Sequence, residues 1–181
     1  MSIVCEITDP RQIGDMHDVV AAFQVGSRNM YNYSRLKELG TLKKPVMLKR
    51  GFSALIEEWV MAAQYITQGG NENVILCERG IRSFDKVTRN TLDLASVAYI
   101  KQNYSYPIIV DPSHATGMRE LVAPMSMAAA AAGADGLLIE VHPSPDQALS
   151  DGFQTLDFNQ FGSLMNQLSP LLQHLKRPLW N

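Results

Sequence analysis

The 181 residues carry a net charge of −2, and 46% are hydrophobic against 19% charged, the balance of a soluble globular chain. That charge excludes a nucleic-acid or membrane-surface binder working through a basic face, and no apolar run approaches the roughly 18 residues of a membrane span. The opening MSIVCEITDP has neither the basic region nor the apolar stretch of a signal peptide, and Cys5 and Cys77 both lie in apolar runs. Reduced core thiols in a cytoplasmic protein are therefore expected.

Short β-branched runs alternate with helical patterns along the chain. The first strand is expected over Ser2–Ile7, followed by a helix over Pro10–Ala21 in which Asp9-Pro10 supplies a cap and a first-turn proline. A strand at Ala22–Gly26 leads to a helix at Asn32–Leu39 closed by Gly40. Next come a strand at Pro45–Lys49 and the strongest helix, Ser53–Gln68, with Leu55, Trp59, Ala62 and Ile66 on one face and Gly69-Gly70 at its end. Strands at Asn73–Glu78, Pro107–Asp111 and Gly136–Val141 alternate with helices at Asn90–Lys101 and Glu120–Ala132. The tract SMAAAAAGA reads as a small-residue helix face packed closely on a sheet. A last helix spans Asp157–Leu175, with Pro170 expected to bend or break it. Strand–helix alternation implies right-handed crossovers and a parallel α/β sheet.

Every one of these strands ends in chemistry. The exits are Glu6, then Arg28 in QVGSRN, Lys49-Arg50, Glu78-Arg79, Asp111 with His114, and Glu140 with His142. Parallel sheets place their sites at the carboxyl ends of strands. Alternate residues share a face, so Met47 and Lys49, Cys77 and Arg79, Ile109 and Asp111, and Leu138 and Glu140 are expected to point inward together. Arg28, Lys49 and Arg79 then converge as cations, an arrangement suited to a phosphate or carboxylate. Opposite them, His114, Glu140 and Asp151 of the LSDG loop form a candidate divalent-metal set. His142 either lines the same pocket or orients a loop. His17, His174, Trp59 and Tyr65 read as surface or packing residues, and Asp146 and Asp157 as helix caps.

The ordered segments QVGSRNMYNY, PVMLKRGFSALIEEW, ILCERGIRSFDKVTRNTLDLASV, VDPSHATG and EVHPSPDQALSDG resemble the 3-deoxy-D-arabino-heptulosonate 7-phosphate (DAHP) synthases, type I beta group. The likeness runs from Ile3 to about Leu168. It implies a (β/α)8 TIM barrel and the condensation of phosphoenolpyruvate with erythrose 4-phosphate, the entry to the shikimate pathway. It further implies phosphoenolpyruvate binding by Arg28, Lys49 and Arg79. A divalent metal (Mn, Fe, Zn or Co) would be held by His114, Glu140 and Asp151. Lys49 would act with His114 in catalysis, Lys49 as a general acid, with Glu78 as a candidate in activating water.

Two family segments, a Gly-Pro-Cys-like motif and Lys-Pro-Arg-Thr-Ser, do not occur in this sequence. The first matching run, SIVCEI, corresponds to the third family strand, so residues 1–181 are expected to form one incomplete barrel domain holding strands 3 to 8. Cys5 lies on a different strand from the family's thiolate ligand and has opposite parity to Glu6, which argues against a metal-binding role. Weak stand-alone activity is expected, with a homo-oligomer or a companion chain supplying the missing strands. The alternatives are a 3-deoxy-octulosonate 8-phosphate synthase-like enzyme, or a non-catalytic phosphoenolpyruvate- or metal-binding remnant or split-enzyme subunit.

Overall fold

The computed structural model describes residues 2–177. Six strands, β1 (Val4–Glu6), β2 (Ala22–Val25), β3 (Val46–Lys49), β4 (Val74–Glu78), β5 (Ile108–Val110) and β6 (Gly136–Leu137), form one sheet in chain order. All five pairings are parallel. The order never reverses, so right-handed crossovers stack every helix on the same face, as in a barrel wall and unlike a doubly wound sheet. Those helices are α1 (Gln12–Met16), α2 (Tyr33–Gly40), α3 (Ile56–Thr67), α4 (Leu94–Asn103), α5 (Pro112–Thr116), α6 (Arg119–Ala131) and α7 (Phe158–His174). Among the described residues no helix is long and apolar enough to cross a membrane.

Strand parity divides the molecule into two faces. Phe23, Val25, Val46, Leu48, Val74, Leu76, Ile108 and Val110 point to the helices and join Trp59, Ile66, Leu36 and Ile100 in one buried cluster. Each fully buried side chain of this size contributes about 1.5–3 kcal/mol. Trp59 adds direction, because its indole nitrogen donates to the Leu48 carbonyl at 3.1 Å and fixes α3 on β3. The alternate residues Gln24, Met47, Ile75, Cys77 and Ile109 pair across the other face.

Several boundaries differ from the sequence expectation, each for a local reason. α1 is five residues long and starts at Gln12. Asp9 does not cap it, because its carboxylate is taken by the Arg11 amide and guanidinium. The Asp-Pro signal operates instead at Asp111-Pro112: Asp111 accepts from the His114 amide, Pro112 occupies the first turn, and Gly117 closes α5 at φ 68°. α4 starts late because Asp93, not a residue near Asn90, is its cap. β6 is shorter than predicted, since β5 has already turned into α5 and the Glu140 amide bonds the Ser113 hydroxyl in place of a strand. Asp157 caps α7 as expected, whereas Asp146 caps nothing and faces Arg119. α7 runs through Pro170 unbroken. The carbonyl that a proline there leaves free belongs to Asn166, which is exposed to solvent.

α2 and α3 meet at two glycines. A Cβ on Gly69 would lie 2.6–2.8 Å from the backbone of Gly40, and one on Gly40 would lie 2.6 Å from the Ile66 carbonyl. Neither obstacle is a side chain that can swing away. Gly69→Ala should therefore cost about 1–3 kcal/mol by overpacking. Gly162 lies in α7, and an added methyl there would meet nothing within 4 Å. Gly162→Ala should therefore gain about 0.5–1 kcal/mol. Denaturant midpoints of the two variants, moving in opposite directions, check this account of the packing.

Candidate active site

The carboxyl ends of the strands surround a cavity of about 350 Å³. Glu6 from β1 and Asp151 from beyond β6 both line it, so the sheet curves enough to bring its two ends over one space. A larger cleft of about 1010 Å³ lies elsewhere, between β6 and α7. Its walls, among them Leu137, Ile139, Phe161 and Met165, offer little chemistry.

One side of the small cavity is cationic. Arg28 sits on a single helical turn after β2, Lys49 ends β3, and Arg79 follows β4; all three line the cavity. The ring of Phe52 gathers guanidinium groups, with Arg79 at 4.7 Å, Arg82 at 5.0 Å and Arg28 at 5.9 Å from its centroid. Arg79 is only 4% exposed, and burial pulls its pKa down from the usual arginine value. Its Nη1 and the Oγ of buried Ser27 have no hydrogen-bond partner. Buried donors are rarely left unmet, and both residues line this cavity.

The other side holds a histidine and two carboxylates. His114, Glu140 and Asp151 each offer an atom within 4.8 Å of the others. One imidazole nitrogen with two carboxylates suits a divalent first-row ion. The imidazole is oriented from behind, with His114 Nδ1 2.8 Å from Asp111 Oδ2 and Nε2 3.4 Å from Glu140 Oε1. An ionised carboxylate only accepts, so Nδ1 donates to Asp111, and Nε2 is the nitrogen turned toward the cluster.

Asp111 connects the two sides. Its Oδ2 also lies 2.7 Å from Lys49 Nζ, and both groups are buried. Burial works against the charged carboxylate, but the His114 hydrogen bond and the Lys49 charge outweigh it and hold the pKa below the ordinary value.

Other candidates lie outside the cavity lining. Glu78 has the parity of Leu76 and points to the helix side, where it accepts from Arg50 Nη1 at 3.0 Å, the Gly80 amide and the Ser96 hydroxyl. Burial raises its pKa, and Arg50 offsets part of that. Glu78 is not among the residues that line the cavity. His142 accepts from the Ser144 amide at 3.0 Å and so orients its loop. Cys5 packs with the helix-side cluster, while burial pushes the Cys77 thiol up and keeps it protonated. Sequence reasoning missed Phe52, Arg89 and Gln154 as site residues and left Asp111 without a role. Arg89 lies in the long β4–α4 loop, far from any strand exit. The length of that loop is the one signal that pointed to it.

Removing the Asp111 charge leaves Lys49 buried without its partner. Asp111→Asn should lose about 3–5 kcal/mol of stability at neutral pH. The carboxyl's folded pKa is depressed, so its contribution is complete above the ordinary carboxylate range and vanishes as pH falls through the lower folded value. Wild type should lose stability below about pH 4, and Asp111→Asn should lose less over the same window. Parallel acid titrations followed by circular dichroism check both the size and the sign.

The model of the DAHP synthetase I family matches residues 1–176. A phospho-2-dehydro-3-deoxyheptonate aldolase of Thermotoga maritima is 46% identical over 175 residues, which are 97% of this chain and 52% of that protein. A 2-dehydro-3-deoxyphosphooctonate aldolase of Desulfotalea psychrophila is 29% identical over 179 residues, covering 92% of this chain and 62% of that protein. The crystal structure of the Thermotoga DAHP synthase superposes with a TM-score of 0.96 over 98% of this chain and 52% of that one. A truncated form of the same synthase gives 0.96, with 68% of its chain covered. The chain thus spans about half the length of its Thermotoga relative. Its six strands, curved around a charged cavity, are part of a (β/α)8 barrel, and the chain belongs to the DAHP synthetase I family.

Proposed function

We propose that this chain carries the phosphoenolpyruvate- and metal-binding part of a DAHP synthase active site. The observation that supports this most is the pair of unmet buried donors, Arg79 Nη1 and Ser27 Oγ, on the cavity that also holds His114, Glu140 and Asp151. Arg28, Lys49 and Arg79 hold the phosphate and carboxylate of phosphoenolpyruvate, with Phe52 steadying the two arginines. His114 Nε2, Glu140 and Asp151 hold a divalent ion such as Mn, Fe, Zn or Co, which when bound supplies Lewis-acid polarisation of an aldehyde oxygen.

The reaction balances as follows. Carbon 3 of phosphoenolpyruvate attacks the aldehyde carbon of erythrose 4-phosphate and a C–C bond forms. The aldehyde oxygen takes a proton and becomes a hydroxyl, with Lys49 Nζ as its donor. The cationic centre left at carbon 2 takes the oxygen of water, and the proton that this water gives up restores Lys49. The C–O bond to phosphate then breaks, the proton of the new hydroxyl leaves with the phosphate, and a ketone remains. Arg28 and Arg79 stabilise the anionic groups throughout, and Asp111 holds Lys49 and His114 in register.

The same chemistry with arabinose 5-phosphate would make the chain a 3-deoxy-octulosonate 8-phosphate synthase. The 46% identity to a DAHP synthase, against 29% to the octonate enzyme, supports erythrose 4-phosphate. Strands β1 and β6 each have one sheet neighbour among the described residues. Further strands, from a second chain or from more of a longer protein, are proposed to cover them. The phosphorylated substrates fit the expected cytoplasmic location.

Binding comes first in testing this. Phosphoenolpyruvate at a hundred times its Kd should raise Tm by about 5–10 °C. Lys49→Ala and Arg79→Ala should each reduce that shift, and His114→Ala should keep it. An equal shift in Arg79→Ala would contradict the anion assignment. Calorimetry with Mn²⁺ should show divalent binding that His114→Ala abolishes, and equal binding by that variant would contradict the metal assignment.

A further inference from the structure

Arg89 has no part in the reaction outlined above, yet it touches the surroundings of all three candidate metal ligands. The segment carrying it is fixed to the helix of His114. The Arg89 amide donates to the Thr116 carbonyl at 2.9 Å and the Asn90 amide to Ala115 at 2.9 Å, while the Asn90 side chain donates to the His114 carbonyl at 3.1 Å. The close approach requires glycine at 117: a Cβ there would lie 2.7 Å from Arg89 Cβ, and the residue already adopts φ 68°.

From that anchor the guanidinium reaches the two carboxylate ligands. Nη1 donates to Asp151 Oδ1 at 3.0 Å and to Gln154 Oε1 at 3.1 Å. Gln154 is fully buried, and its Nε2 donates to Glu140 Oε2. The orientation of that amide is dictated, because a guanidinium only donates and a carboxylate only accepts. Asp151 has φ 53°, a left-handed conformation that aspartate adopts more readily than most residues with a side chain. Arg119 holds the backbone of this loop at the Gly152 and Thr155 carbonyls, and Arg89 bonds the Asp151 carboxylate itself.

We propose that Arg89 is a positioning residue for the metal centre, aligning Asp151 directly and Glu140 through Gln154 against the His114 helix. This rests on the metal assignment made above. The three ligands come from three separate segments: the backbone of Arg89 and Asn90 is fixed to the His114 helix, and the Arg89 side chain reaches Asp151 directly and Glu140 through Gln154. Its charge also offsets two neighbouring carboxylates, so the ligands stay together before the ion arrives.

The test measures metal affinity and ligand geometry in the whole chain, apart from turnover. Mn²⁺ binding is followed by calorimetry, and Co²⁺ binding by its visible absorption, in wild type, Arg89→Met, Arg89→Lys and Gln154→Leu. Arg89→Met keeps the side-chain stem and should weaken binding by about 10- to 100-fold and alter the Co²⁺ spectrum. Gln154→Leu leaves the Arg89–Asp151 pair and should give a smaller loss. Arg89→Lys, which reaches one acceptor, should recover part of the affinity. A wild type that binds neither ion overturns the metal assignment itself. A wild type that binds, beside Arg89→Met with unchanged or tighter affinity and the same spectrum, overturns the role of Arg89 alone. If Arg89→Met does not fold, the order of wild type, Arg89→Lys and Gln154→Leu decides the matter by the same criteria.

Discussion

The rest of the site depends on one buried carboxylate. Asp111 is fully buried at the end of β5, accepts from Lys49 Nζ at 2.7 Å and holds His114 Nδ1 at 2.8 Å. It also caps the short helix that carries His114. One side chain thus ends a strand, starts a helix, balances a cation and sets a tautomer. An unpaired carboxylate would be very costly at this depth. The two partners make its burial tolerable, and in return it fixes a cationic group and a candidate metal ligand at a set separation.

The strand geometry explains how so many charges are tolerated at one end of the sheet. Successive residues point to opposite faces, so adjacent charges are sorted rather than crowded. Lys49 faces the cavity while Arg50 turns to the helices, and Arg79 and Glu78 divide in the same way. The helix-side charges form their own set: Arg50 bonds Glu78 at 3.0 Å and Asp93 at 2.9 Å, and lies over the Trp59 ring. Glu78 and Arg50 so pin β3, β4 and α4 together behind the cavity wall. The cavity side keeps Arg28 and Arg79, neither of which has a carboxylate partner among the described residues, and this is the electrostatic basis for reading it as an anion site.

The sheet, its order of elements and the strand-exit residues are legible in the sequence, because buried parallel strands and their charged ends leave strong local patterns. Strand parity correctly pairs Lys49 with Met47 and Asp111 with Ile109. The same parity, followed from Leu76, puts Glu78 on the helix face. Helix starts are less legible. Asp9-Pro10 and Asp111-Pro112 look alike locally, but Asp9 is taken by Arg11 whereas Asp111 is buried against Lys49 and caps α5. Phe52, Arg89 and Gln154 are hidden for another reason. Their contacts join segments far apart in the chain, and no periodicity or spacing encodes such a meeting.

The most direct test of the central claim, that an anion half and a metal half face each other across Asp111, is a crystal structure grown with phosphoenolpyruvate and Mn²⁺. The account predicts anionic oxygens within hydrogen-bond distance of Arg79 Nη1 and Ser27 Oγ. It also predicts an anomalous peak bound by His114 Nε2, Glu140 and Asp151. Anomalous density at another carboxylate group, or phosphoenolpyruvate seated in the apolar cleft between β6 and α7 with Arg79 still unpartnered, would contradict it.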